Sequence, residues 1–174
     1  MNYPEAKNIA IKYWKLFKEV SMPGKCKVAG GVRREKKDPH DIEIVCVPQT
    51  FEKPGKGLFD LYTIHRIQKF IDLVNSFPRV KGSAEGKLCQ LILPEGINLD
   101  LFMASEINFG LILMIRTGSA DFSKRMVTEI RPRGFYCYEG LLYNSKHEVI
   151  PVPDEESFFT ITGLPYLKPN MRIK

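Results

Sequence analysis

Asp41 and Glu43 sit two residues apart in the segment "DIEIVCV", whose alternation of polar and apolar residues predicts a β-strand. Side chains two apart in a strand share a face, so Asp41, Glu43 and Val45 point one way and Ile42, Ile44 and Cys46 point into the core. Two adjacent carboxylates repel and raise each other's pKa unless a positive charge stands between them. Hard divalent cations supply that charge, and magnesium takes one or two carboxylates together with substrate phosphates. A third acid, Asp100, lies in "INLDLFMA", a second alternating strand with Ile97, Leu99, Leu101 and Met103 on one face and Asn98, Asp100 and Phe102 on the other. If the two strands are neighbours, the three acids converge on a patch that can hold two metal ions about 3.5–4 Å apart. Upstream, Gly30 and Gly31 let the backbone come close to a ligand. Arg33 and Arg34 follow with forked donors matched to phosphate oxygens, so a triphosphate fits there with its magnesium on the acids. A Gly-Gly turn before an edge strand with solvated acids is the plainer alternative; Asp100, on an alternating strand of its own, weighs against it.

The elements that must position these residues follow from periodicity. Ile9, Tyr13, Leu16 and Phe17 at helical spacing predict an amphipathic helix over residues 5–20, stopped by "SMPGK". After the strand at 41–47, "PQTFEKPGKG" is expected to break it. A second helix is expected over 61–75, with Ile64, Ile67, Phe70, Ile71 and Val74 as its buried stripe. "KLCQLIL" and "INLDLFMA" read as two strands joined at Pro94, Glu95 and Gly96, a hairpin turn. The character changes after residue 107: "FGLILMIR" ends at "TGS", "ADFSKRMVTEI" reads as a helix closed by Pro132 and Gly134, and "GFYCYEGLLYNSKHEVIPV" reads as short strands. "DEESFFTIT" then has an acidic helix start. The fold class expected is α+β: a mixed sheet with flanking helices over 1–107, then a small α+β unit over 108–174.

A chain of 174 residues can bury a real core, and no run approaches the roughly 20 apolar residues of a membrane span. An intracellular, soluble monomer with no membrane partner is expected. Its four cysteines are scattered without zinc spacing and read as reduced thiols. The net charge of +6 suits a phosphate-rich partner. Lys25, Lys27, Arg33, Arg34, Lys36 and Lys37 form a basic cluster, and Lys36 and Lys37 are as consistent with a solvated face as with DNA phosphates. His65 and His147 have no partner at metal spacing, and Phe122, Phe135, Tyr136 and Tyr138 are expected to serve packing and strand pairing.

The run from Gly30 to Arg34, followed by Asp41-Ile42-Glu43, resembles the signature of the DNA polymerase beta-like nucleotidyltransferases. "RTGSADFSKRM", "GFYCYEGLLYN", "ESFFTITGLPYLKPNMR" and the opening "YPEAKNIA" narrow the resemblance to the family X DNA polymerases. The resemblance implies a palm nucleotidyltransferase unit followed by a unit that binds the nascent base pair. It implies that Asp41, Glu43 and Asp100 are the catalytic metal ligands for two magnesium ions, which manganese can replace, and that Asp100 also draws the proton from the primer hydroxyl. Gly30, Gly31 and Arg34, with Gly118 and Ser119 of the Thr-Gly-Ser turn, would bind the incoming dNTP. Lys124 and Arg125, with Lys36 and Lys37, would meet gapped or primer–template DNA.

The family's lyase domain has no counterpart before Glu5, so gap filling without lyase activity is expected, as in the minimal members known from viruses. Glu43 stands where aspartate is usual and His40 where glycine commonly precedes the first acid. Ile115 and Arg116 replace an aromatic pair that excludes ribonucleotides. A nucleotidyltransferase acting on a protein or small molecule, and a non-catalytic DNA-binding relic, remain as alternatives.

Overall fold

The computed structural model describes residues 1–54 and 62–172. Helix α1 (Tyr3–Glu19) starts where Asn2 accepts a hydrogen bond from the Glu5 amide and Pro4 occupies the first turn. Its buried stripe is Ala6, Ala10, Tyr13 and Phe17. Leu16, expected in that stripe, is 40% exposed, because two alanines let the helix lie close to the sheet on a face turned by one residue. The helix ends at Glu19, just before the "SMPGK" segment, as expected. That segment belongs to strand β1 (Ser21–Val28), whose register shifts between Ser21 and Cys26, and this bulge takes up Pro23, which has no amide to donate.

A short helix α2 (Gly30–Arg33) leads into β2 (Ile42–Pro48). Strand β3 (Thr50–Pro54) pairs with β4 (Tyr62–Arg66) where a break and a helix start were expected. The helical spacing of Ile64, Ile67 and Ile71 misled here: the local run Tyr-Thr-Ile prefers a strand, and Ile64 is 72% exposed on a two-stranded ribbon. Leu61, the expected helix start, lies outside the described residues. Helix α3 (Gln68–Asn75) keeps Phe70 and Val74 in the core. It is followed by β5 (Arg79–Gly82), which periodicity did not signal, β6 (Leu88–Ile92) and β7 (Asn98–Met103), the last two joined by the expected turn. The main sheet has the order β1-β2-β7-β6-β5, with β2 and β7 parallel and its other pairs antiparallel.

The second half contains α4 (Phe109–Thr117), α5 (Ala120–Glu129), the antiparallel strands β8 (Phe135–Tyr138), β9 (Leu141–Asn144) and β10 (Val149–Ile150), and α6 (Glu155–Thr162). Among the described residues the apolar side chains gather in three clusters. One lies between α1, α3 and one face of the main sheet. A second joins α4, α5, β9 and α6, with Phe122 buried in it as expected. The third is small and sets Phe109 and Leu113 of α4 against Val45, Val47 and Phe102 on the other sheet face. Helix α4 is apolar on all sides because it serves two cores, Phe109 and Leu113 facing the sheet and Leu111 and Met114 facing α5 and α6. Gly110 permits the close crossing, since a Cβ there would lie 1.9 Å from the Asp154 carbonyl oxygen. Helix α4 thus covers the C-terminal ends of β2 and β7 and leaves the start of the same sheet face open.

The stripe on α1 gives a direct test. Phe17→Ala should lower unfolding free energy by about 3–5 kcal/mol, whereas Leu16→Ala should stay within about 0.5 kcal/mol of the parent, measured by urea unfolding.

Candidate active site

The open part of the sheet face carries the acids. In the parallel pair β2·β7, Glu43 stands directly opposite Asp100, and Asp41 immediately precedes β2. Ile42, Ile44, Leu99 and Leu101, on the opposite face, are fully buried. A slip of one residue would drive both carboxylates into the apolar core, so burial fixes the register and the register fixes the acids.

Burial and the charges of Asp41 and Asp100 push the Glu43 carboxyl up to about 7, against the opposing pull of Arg34 and of the Gly31 backbone. Burial also raises Asp100; a hydrogen bond from Gln90 Nε2 at 3.0 Å and the charge of Arg116 oppose the rise, and Asp41 adds to it. Three oxygen donors that repel one another fit a hard cation. They are not gathered round one point, however: among the described residues, no group of three His, Cys, Asp or Glu side chains is arranged to hold an ion.

The Glu43 carboxylate lies against the Gly30–Gly31 turn, where a Cβ on Gly30 would lie 1.3 Å from Glu43 Oε2 and where Gly30 has φ +61°. Only glycine fits there, both for its backbone conformation and for space. The Ala29 amide donates to the Glu43 carbonyl at 2.8 Å, tying the turn to β2.

The structure brings Gly31, Arg34, Lys36, Asp41, Glu43 and Gly118 to one cleft of about 460 Å³, with Arg116 and Ile115 on its wall. Gly30 lies behind Gly31, and Asp100 lies across the strand pair. Arg34 spans the cleft and donates to the Thr117 carbonyl beside Gly118. Ser119 uses its hydroxyl to cap α5, accepting from the Phe122 amide at 3.4 Å. Lys37 is exposed outside the cleft, as are Lys124 and Arg125 on α5, where Arg125 approaches Glu129 at 3.7 Å. His40 is exposed at the cleft rim.

Sequence reasoning missed two features. Arg116 stacks its guanidinium 4.2 Å over the Phe102 ring and separates the acid cleft from a larger one of about 570 Å³ that Arg66, Lys87 and Glu139 also line. The position of Arg116 just before Thr-Gly-Ser was noted, but its stacking partner is invisible in sequence. The other feature joins the two halves of the chain. Glu155 at the start of α6 accepts two hydrogen bonds from Arg33, at 3.0 and 2.7 Å, and one from Arg172 at 2.7 Å. Arg33 also donates to Thr117 Oγ1 at 2.6 Å. Arg172 is fully buried among Phe122, Phe159 and Tyr166 and donates to the Leu167 carbonyl. Nothing in the spacing pairs these three residues.

Residues 112–173 match the DNA polymerase beta thumb family. No curated protein sequence matches the chain significantly. Among solved structures the chain is similar to polymerase beta of Leishmania infantum in a ternary P/T complex, with a TM-score of 0.69 at 14% identity, covering 100% of this chain and 77% of that one. At that identity the likeness is one of fold. The three later stretches quoted above fall within the matched residues; the acids lie outside them.

Burial raises the Glu155 carboxyl, but the hydrogen bonds from Arg172 and Arg33 outweigh it and hold the group below its ordinary value of 4.5. A lowered folded value means that Glu155 contributes its stability fully above pH 4.5 and loses it as pH falls below that. Glu155→Gln leaves two arginines without their anion and should cost about 3–5 kcal/mol at pH 7. The gap between parent and variant in thermal or urea unfolding should narrow below pH 4.5.

Proposed function

We propose that the chain is a polymerase beta-like member of family X and a DNA polymerase; the match of residues 112–173 to the DNA polymerase beta thumb family and the likeness of its fold to polymerase beta support the reading. In this reading it adds deoxynucleotides to a primer 3′ hydroxyl on gapped or primer–template DNA, filling short gaps. The observation that carries the reading is the register of β2 and β7, which sets Glu43 opposite Asp100 with Asp41 beside them under a cleft walled by Arg34 and Arg116.

The residues divide the work by chemistry. The Gly31 amide and the Arg34 guanidinium receive the triphosphate, and Gly118, which has no side chain, lets the sugar and base of the nucleotide approach. Asp41, Glu43 and Asp100 would hold two magnesium ions, or manganese in their place, and those ions supply charge neutralisation and a more acidic primer hydroxyl. Asp100 takes the hydroxyl proton as the oxygen attacks the α-phosphate in line and pyrophosphate leaves. Holding primer and nucleotide together accounts for much of the rate gain, and Lys36, Lys37, Lys124 and Arg125 contribute by pairing with DNA phosphates. Palm and nascent-base-pair units at 1–107 and 108–174 complete the reading, with the protein working as a monomer.

Primer extension on a gapped duplex with magnesium tests this. Template-directed incorporation is expected, and Asp100→Asn should lower it by about a thousandfold while DNA affinity, read by fluorescence anisotropy, stays near that of the parent. Nucleotide transfer without DNA would instead point to a protein or small-molecule acceptor, and DNA binding without any incorporation would point to a relic.

Ile115 and Arg116 line the cleft where an aromatic pair would exclude a 2′-hydroxyl. Incorporation of rNTPs should therefore lie within about tenfold of dNTPs, a difference of about 1.4 kcal/mol. A strong preference for dNTPs in single-nucleotide insertion would count against this role for the pair.

A further inference from the structure

Arg116 stands on the wall between the two clefts and lines both. Its guanidinium is seated 4.2 Å over the ring of Phe102, which is itself buried under α4. Phe102 follows Asp100 by two residues on β7, so the two side chains share a sheet face about 7 Å apart. Arg116 is therefore one strand step from an acid. Stacking fixes the plane of the guanidinium and leaves its N–H edge clear of the ring. Arg33, Arg34, Arg66 and Arg172 all donate to carboxylate or carbonyl oxygens. Among the described residues Arg116 enters no ion pair and donates to no acceptor. It is a forked donor held in place.

The larger cleft lies on a definite side of the acids. The glycine turn is tied to β2 through the Ala29 amide and the Glu43 carbonyl, and Arg34 follows it. The larger cleft is lined instead by Phe102 and Met103 at the end of β7 and by Lys87, just before β6. In the sheet order β1-β2-β7-β6, the turn lies to one side of the pair Glu43 and Asp100 and the cleft to the other. In-line attack on an α-phosphate needs the nucleophile opposite the leaving pyrophosphate. With the pyrophosphate portion at Gly31 and Arg34, the attacking hydroxyl must come from the β6 side.

We propose that the end of the primer strand enters the larger cleft and that Arg116 binds the phosphate joining its last two nucleotides, aiming the 3′ hydroxyl at the α-phosphate. This rests on the polymerase reading of the acid cleft. That phosphate is one sugar away from the attacking hydroxyl, as Arg116 is one strand step away from Asp100. A guanidinium fork matches phosphate oxygens whatever the base, so the contact holds every primer end alike. Lys87, exposed on the same wall, meets the next phosphate back, and its loop is held by Arg66 through the carbonyls of Ala84 and Gly86. Arg66, Lys87 and Arg116 against Glu139 give the cleft the sign that a strand end requires.

The test is single-nucleotide insertion by the whole chain into a one-nucleotide gap, with magnesium, on primers whose last linkage is either a normal phosphodiester or an uncharged methylphosphonate. On the parent the methylphosphonate should cost about tenfold to a hundredfold in insertion rate, the scale of a hydrogen bond to a charged group. Arg116→Ala should lose a similar factor on the normal primer and nothing further on the methylphosphonate, since one contact cannot be removed twice. Arg116→Lys keeps the charge without the planar fork and should fall between them. Arg116 is exposed, so both variants should fold as the parent does. No loss in Arg116→Ala, losses that multiply, or a defect confined to the KM for dNTP overturns the assignment. Fluorescence anisotropy of the same duplexes reads the same cycle without turnover. Insertion by the parent with multiplying losses removes Arg116 from the primer and leaves the polymerase. A parent that shows the cycle in binding but inserts nothing supports the contact and removes the polymerase reading, and one that neither inserts nor binds removes both.

Discussion

The burial of Ile42, Ile44, Leu99 and Leu101 against α1 and α3 is the constraint on which the site depends. Those four side chains lock two parallel strands at one register, and the opposite face of the same residues then has no choice about where its carboxylates stand. The cost of crowding like charges falls on Glu43, pushed up to about 7, and on Asp100. The apolar core can carry that cost because burying each large aliphatic side chain is worth roughly 1.5–3 kcal/mol. Stability on one sheet face thus maintains an electrostatically unfavourable arrangement on the other.

Helix α4 determines how much of that face is available. By packing Phe109 and Leu113 on Val45, Val47 and Phe102 it closes one end and leaves the acids open at the other. Its C-terminal Thr117 then receives Arg33 on its hydroxyl and Arg34 on its carbonyl, and Arg33 continues to Glu155 and so to Arg172. Consecutive arginines therefore face different tasks: one is held in a buried ion network, the other lies in the cleft. A cationic side chain at the last turn of α4 is also favoured by the partial negative charge of the helix end. The glycine turn, the end of α4 and the start of α6 form one connected set of contacts around the cleft.

Much of this was legible in the order of residues, and the failures are instructive. Alternation identified β2 and β7 because one face is apolar and the other is not, and the turn at Pro94–Gly96 followed from residue types alone. Periodicity failed for residues 62–66, where isoleucines at helical spacing lie on an exposed ribbon, and it gave no signal for β1, where a bulge accommodates a proline that a regular strand would reject. On α1 it found the helix and misjudged the buried face, because alanines rather than the larger Leu16 face the sheet. Each failure has the same origin, since local patterns report which side chains can be buried and not which neighbour will bury them.

For the site, the sequence by itself determined the inventory: three acids on alternating strands, two glycines and two arginines. Only the tertiary structure decided the pairing of β2 with β7, the contact of Glu43 with the glycine turn, the stacking of Arg116 on Phe102 and the meeting of Arg33, Glu155 and Arg172. The division has a physical cause. A residue's charge, size and backbone freedom belong to it, whereas a contact between residues 122 positions apart, such as Arg33 with Glu155, exists only after loop closure has been offset by burial of the whole core.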